Sequence, residues 1–383
     1  MPVPNTMSER FVVKPYTEDW VPGVRALNER LNQGGLEKSL QFPATHVPAH
    51  PPYPEARLYQ DYYLITEEPD LVRGGFILTH EEWYVGGTPQ WVAHLRLPLS
   101  EGAINRDLKA VGGLVFEAAA ERQPFEYTIG MGGFHSPVAR RLKSLGWTEY
   151  AVPFYFHVFH GYRFLRNMQP LRKKSWQRIG ADLAAYTGTG ALGLRTLQAL
   201  RRQKNGAGRE VAVNRVDAFA AWTDAIWEKN RARYWAIGPR DSTTLNRRYP
   251  LAEQRYLRLR IDYRGEPRGW AIALDTQMRG NKYFGDARVG AIADALAAPE
   301  DAWMVVEGAT RFLQERGVDL VVTNLADERW GAALRRAGFL NGPSNYVFGA
   351  SPKLAEKLAP FEEHKAEFFL TRGDGAGPER LME

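Results

Sequence analysis

At 383 residues the chain is long enough for two domains with cores of their own, and its 44% hydrophobic and 25% charged content excludes a disordered polymer. No apolar run reaches the roughly 20 residues of a membrane span, and the absence of cysteine excludes disulfides, thiolate nucleophiles and cysteine-based metal sites. The net charge of +6 is unevenly spread: ten Lys/Arg and one acid, Asp182, lie between Arg163 and Lys204, so this stretch carries +9 and the rest of the chain −3.

MPVPNTMSER has no apolar signal-peptide core, which with the missing cysteines leads us to expect a cytoplasmic protein. RFVVKPY reads as a strand, Thr17 to Trp20 as a helix start, and VPGVRALNERLNQGG as an amphipathic helix stopped by Gly34-Gly35. Residues 41–56 are Pro-rich and extended. Strands are expected at 60–66, 72–79 and 90–98, with Gly86-Gly87 as a turn, and a helix at 106–121. A cadence then follows: a strand in EYTIGMGG, a short basic helix ARRLKSLGW ending in Gly146-Trp147, and an apolar strand in VPFYFHVF that closes a domain near residue 160.

Residues 161–206 read as helical and basic, broken by TGTGALG at 187–193. From 209 come a strand and helix (VAVNRVDAFAAWTDAIWEKN), two strands joined by a Gly-Glu-Pro turn, and a helix stopped by Gly317. The cadence recurs as VDLVVTNL, ALRRAGF ending in Gly338-Phe339, and NYVFGA. Two copies of one strand–helix–Gly–aromatic–strand unit imply two related domains. The division expected is 1–160, a basic helical linker 161–208, a second domain 209–352, and a tail 353–383 with a strand-like start and a mobile Gly-rich end.

Several residues carry two readings. Gly130, Gly132 and Gly133 permit a close ligand approach or simply a tight strand-to-helix turn. Glu81 and Glu82 face opposite sides of a strand and read as part of a solvated hairpin. Arg240-Asp241 is a ligand clamp or an ion-paired helix start, and His135 lines a cleft or caps the helix after it. The basic linker, with Tyr162, Phe164 and Trp176, suits a phosphate backbone such as tRNA; its ALGLRTLQALRRQK portion suits an anionic membrane surface; or it is a solvated connector. No Walker loop, zinc motif or nucleophile elbow is present, and eight dispersed histidines give no metal centre.

The order strand, helix, antiparallel strands, helix, strand, helix, strand resembles the Gcn5-related N-acetyltransferase (GNAT) fold in both halves, and Gly146-Trp147 and Gly338-Phe339 resemble that family's Gly-aromatic ending. The tandem layout is similar to that of Fem-type aminoacyl transferases. The resemblance implies an α+β fold of two GNAT-like domains, each a mixed, mostly antiparallel sheet flanked by helices. It implies transfer of an acyl group from acetyl-CoA or another acyl-CoA to a small-molecule or peptide amine, without a metal. The pantetheine arm would lie along strand four at Leu95 and Leu97. The pyrophosphate would meet Gly102, Arg106, Lys109, Gly112 and Gly113, where Lys replaces the usual Gln/Arg and Leu114 the last small residue. In the second half only Arg288 and Gly290 remain, at the wrong spacing, so that site reads as degenerate.

By the same resemblance His94 would be the base on strand four, with His135 in the cleft beside it. The family's acidic Tyr on the last helix is Leu142 in one half and Leu334 in the other; Tyr127, Tyr150 and Tyr155 are the nearby replacements. This departure keeps two alternatives open: aminoacyl-tRNA-dependent transfer, supported by the basic linker, and a catalytically silent binding or scaffold protein.

Overall fold

The computed structural model describes residues 10–37, 40–44, 57–67, 69–172, 183–184, 186–201 and 210–375. Most of the Pro-rich stretch, Trp176 with much of the basic linker, and the Gly-rich end from 376 lie outside the described residues.

The first half comprises β1 (Phe11–Pro15), α1 (Val21–Gln33), β2 (Leu58–Glu67), β3 (Leu71–Val85), β4 (Thr88–Ser100), α2 (Lys109–Arg122), β5 (Glu126–Ile129), α3 (Pro137–Ser144), β6 (Thr148–Ala151) and β7 (Phe154–Val158). The connector holds α4 (Gly161–Asn167) and α5 (Thr189–Arg201). The second half comprises β8 (Val211–Arg215), α6 (Ala221–Asn230), β9 (Ala236–Ile237), α7 (Ser242–Arg248), β10 (Leu257–Tyr263), β11 (Glu266–Gln277), β12 (Arg288–Ala297), α8 (Ala302–Glu315), β13 (Leu320–Asn324), α9 (Glu328–Arg336), β14 (Leu340–Gly342) and β15 (Val347–Ala350), followed by α10 (Pro352–Lys357) and β16 (Phe368–Phe369).

Local chemistry sets many of these boundaries. Gly86 and Gly87 both have positive φ (+57° and +78°), the requirement of a tight hairpin turn between β3 and β4. Gly146 and Gly338 adopt left-handed conformations (+79° and +87°) one or two residues past α3 and α9, where a glycine stop costs least. The turn between β10 and β11 falls on Arg264-Gly265, both at positive φ, one residue before the expected Gly-Glu-Pro.

The fold is α+β, with two mixed sheets flanked by helices. The first sheet runs β1-β2-β3-β4-β5-β15-β6 and the second β8-β10-β11-β12-β13-β7-β14. The halves correspond strand for strand, except that each has given its last strand to the other. β7 lies between β13 and β14, with Phe154 opposite Asn324 and Val158 opposite Leu320. β15 lies between β5 and β6, with Phe348 opposite Ile129. The apolar strand read as closing the first domain therefore completes the second sheet. The linking pair supplies a reason: only Val152-Pro153 separate β6 from β7, and a two-residue hairpin needs positive φ at the first position, which β-branched Val152 resists, or at both, which Pro153 cannot adopt. The chain runs straight on into the neighbouring sheet, and neither sheet is complete without the other half.

β4–β5 and β12–β13 are parallel pairs in otherwise antiparallel surroundings. One face of the first sheet packs on α2 through Leu78, Ala93, Leu95, Val111 and Val115. The opposite face is covered at one end by α1 and at the other by the second half.

Candidate functional site

Each sheet opens at its parallel pair. β4 and β5 pair only at Ala93–Glu126 and His94–Tyr127. Beyond His94 the register with β3 slips between Gly75 and Ile77, and Leu97 takes φ +44°, a bulge that turns the rest of β4 away from β5. Among the described residues no strand pairs with Leu95–Ser100 on that side. In the second half β12 and β13 pair as far as Ala291–Val322, and a matching register slip follows. There the gap is filled by the chain itself. Leu370 O accepts from Ala326 N at 3.0 Å, Thr371 bridges to Leu325, and Thr371 Oγ1 donates to Asp294 at 2.9 Å.

The loops after the two splayed strands differ in charge. In the first half Glu101 is buried between Arg30 and Arg73, anchoring the end of β4. A Cβ on Gly102 would stand 2.6 Å from Leu108 O, so only glycine lets this loop fold onto the start of α2. No side chain caps α2, and Arg106 and Lys109 beside its N-terminus are exposed and lack an ion-pair partner among the described residues. Arg141 of α3 reaches over Gly113. In the second half Arg288 and Gly290 lie inside β12, not in a loop. Arg288 pairs with Asp275 at 2.8 Å, and Gly290 packs under Leu313 and Val318. The loop that corresponds is Pro299-Glu300-Asp301, leading into α8. Glu300 there is tied to Arg233 at 2.8 Å and Asp301 leaves the corner acidic, whereas Arg106 and Lys109 outweigh Asp107 and leave the first loop net positive for a pyrophosphate.

Between the halves lies a small cavity walled by Gln60, Thr79, His94 and Arg96 of the first sheet and by Arg248 and Asp374 of the second half. His94 is buried and stacked on Tyr127 at 4.8 Å. Burial, helped by the cations Arg96 and Arg248, pushes its pKa well below the ordinary histidine value, so the imidazole is neutral. Glu81 is also buried, against the expectation of a solvated hairpin. It accepts from Trp83 Nε1 at 2.9 Å and faces Arg248 at 3.2 Å. Burial raises its pKa, and the Arg248 charge opposes the rise. The strand alternation that separates Glu81 from Glu82 holds; what sequence missed is that the second half covers Glu81.

Behind the cavity runs an ion network with no solvent exposure at its centre. Arg240 bonds to Asp294 at 3.1 Å, to Asp374 at 2.8 Å and to Gly238 O at 3.0 Å. Tyr249 donates to Asp294 at 2.9 Å, and Tyr127 to Asp374 O at 3.1 Å. Burial disfavours the Arg240 charge, but Asp294 and Asp374 outweigh it and hold the guanidinium protonated. Arg240-Asp241 is thus an ion-paired helix start: Asp241 caps α7 by accepting from Thr244 N at 2.9 Å. Residues 368–375, read as a peripheral tail, are the wedge between the sheets.

Of the sequence candidates, His94 lines the cavity and Lys109, Gly112 and Gly113 start the helix that follows β4. Leu95 points to the α2 core and Leu97 is half-buried at the bulge. His135 is exposed in the loop before α3 and does not cap it; Ser136 does, accepting from Ala139 N at 3.1 Å. Tyr150 packs on Phe361 and Tyr155 belongs to the second sheet, so Tyr127 alone of the three adjoins His94. Leu142 and Leu334 are core residues. Among the described residues no group of His, Asp and Glu converges as metal ligands.

No family profile and no curated protein matches the sequence. By structure the chain is similar to a GCN5-related N-acetyltransferase from Anabaena variabilis (11% identity, 89% of this chain and 72% of that one, TM-score 0.48). It is also similar to Saccharomyces cerevisiae N-myristoyltransferase with bound myristoyl-CoA (10% identity, 92% and 80%, TM-score 0.47). A tandem GNAT protein from the clavulanic acid biosynthesis pathway matches at 11% identity, over 89% of this chain and 98% of that one, with a TM-score of 0.44.

Proposed function

We propose that the protein is an N-acyltransferase that moves an acyl group from an acyl-CoA to an amine, with the thioester held by the first half alone. The observation that carries this reading is the contrast between the two splays. The first is open and followed by a helix start that bears the exposed Arg106 and Lys109. The second is filled by Leu370-Thr371 and followed by Glu300-Asp301.

In this reading the pantetheine arm runs along β4 past Leu95 and Leu97, and the pyrophosphate sits at the α2 N-terminus beside Arg106, Lys109, Gly112 and Gly113. The amine enters the cavity as its uncharged free base, since Arg96 and Arg248 line it and the Glu81 and Asp374 carboxylates are already paired with arginine. The amine nitrogen attacks the thioester carbonyl, backbone N–H groups at the β4 bulge stabilise the oxyanion, and neutral His94 takes the amine proton. The C–N bond forms as the C–S bond breaks, and the proton passes to the leaving thiolate. His135 is too exposed to share this role.

Acetyl-CoA, longer acyl-CoAs and free CoA test the reading in a thermal-shift titration. A ligand at ~100 times its dissociation constant stabilises by ~2.7 kcal/mol, an easily measured rise in Tm. Lys109→Glu should weaken the shift without lowering the Tm of the free protein, because Lys109 is exposed. No shift with any CoA species would turn attention to aminoacyl-tRNA as the donor.

A further inference from the structure

We propose that the connector between the halves docks the protein on an anionic lipid surface. The proposal is independent of the acyl-transfer reading.

Among the described residues, half of the exposed large hydrophobics, seven of fourteen, fall between Tyr162 and Leu200. On α5, Leu192, Leu197 and Leu200 lie within an arc of about 140° at 3.6 residues per turn, and their exposures are 66%, 42% and 81%. The residue α5 turns inward is polar. Gln198 lies on the opposite side of the helix, is buried, and bonds the His157 ring of β7 at 3.0 Å. Gly190, just past the Leu197 edge of that arc, sits against Leu165 of α4. The helix is therefore docked with Leu192, Leu197 and Leu200 facing out, the reverse of what water alone would select for them. Leu183 and Tyr186, at 64% and 68% exposure, precede α5 in the same connector.

Charge selects the occupant. The segment from Arg163 to Lys204 carries +9, which repels a second copy of itself and attracts an anionic surface. An apolar stripe on a cationic helix is the pattern of an element lying in the headgroup region, where leucines enter the acyl boundary and Lys/Arg meet lipid phosphates. No described helix is long and apolar enough to cross a membrane, so the contact is with the surface. A nucleic acid would use the charge and leave the leucines in water. The two exposed tyrosines are engaged with each other at 5.9 Å, and Tyr186 accepts from Arg166 at 2.7 Å.

The test is co-sedimentation of the full chain with vesicles of phosphatidylcholine alone and of phosphatidylcholine with a minor fraction of phosphatidylglycerol. Binding is expected only to the anionic vesicles, weakening as salt is raised. Leu192→Ser, Leu197→Ser and Leu200→Ser combined should lower it at least about tenfold. The substituted side chains are exposed, so Tm and circular dichroism should not change. The proposal is overturned by absence of binding to either vesicle, or by binding indifferent to the three serines. A dimer in lipid-free solution that the serines abolish would assign the face to a second copy instead. Binding of bulk tRNA that the serines leave intact, with no vesicle binding, would assign the charge to RNA.

Discussion

Deleting residues 368–383 should leave a chain that does not fold. Phe368, Phe369 and Leu370 have no exposed surface, and burying such side chains is worth ~1.5–3 kcal/mol each. The deletion also takes Asp374 from Arg240 and Arg248 and Thr371 from Asp294, leaving each buried guanidinium with one carboxylate instead of two. Breaking one buried pair costs ~3–5 kcal/mol, against a total stability of ~5–15 kcal/mol for a domain. β9 loses β16, one of its two partners, and the second splay opens. Soluble yield and a circular-dichroism melt measure the outcome. A truncated protein that melts within a few degrees of the intact chain would mean that the wedge between the sheets is dispensable.

The second large effect is chemical. His94→Gln is expected to lower kcat for acyl transfer by ~10²–10⁴, the range for loss of a general base, while acyl-CoA binding and KM for the thioester stay nearly unchanged. Glutamine keeps a polar group of similar reach but takes no proton. Loss of the stack on Tyr127 should cost ~1 kcal/mol of stability, which a melt separates from the catalytic loss. Because burial and the two arginines hold the imidazole neutral, no His94 titration should appear in kcat/KM near the ordinary value of 6.5; its acid limb lies below that. Thiol release from acyl-CoA, followed with and without an amine acceptor across pH, reads both expectations. A variant with full kcat would remove His94 from the reaction.

What sequence made legible was local. The glycine stops after α3 and α9 depend on a left-handed φ that glycine tolerates, so Gly146-Trp147 and Gly338-Phe339 marked both repeats and with them the fold. Strand exchange was not legible, because the partner of a strand is a non-local choice; β7 is equally apolar in either sheet, and Val152-Pro153 is its one local trace. Charge misled in the same way. Glu81, Arg240 and Asp374 look like solvent-facing residues until the two halves close over them, since burial of a charge depends on partners far away in the chain. In the second half the alanine-rich VGAIADALAA lacks the β-branched density of a strand, so the sequence assigns no strand there and the Glu300-Asp301 corner goes unmarked. His94 was legible from its place on strand four in the resemblance; its stacking on Tyr127 was not, because the two residues meet only across a parallel pair.

Hydrogen exchange with and without a saturating acyl-CoA tests most directly the claim that the first half alone holds the thioester. The account predicts slowed exchange at the backbone amides of the β4 bulge, residues 95–100, and at the start of α2, residues 109–113, with none added at 298–302. Protection confined to 298–302, or equal in both halves, would contradict it.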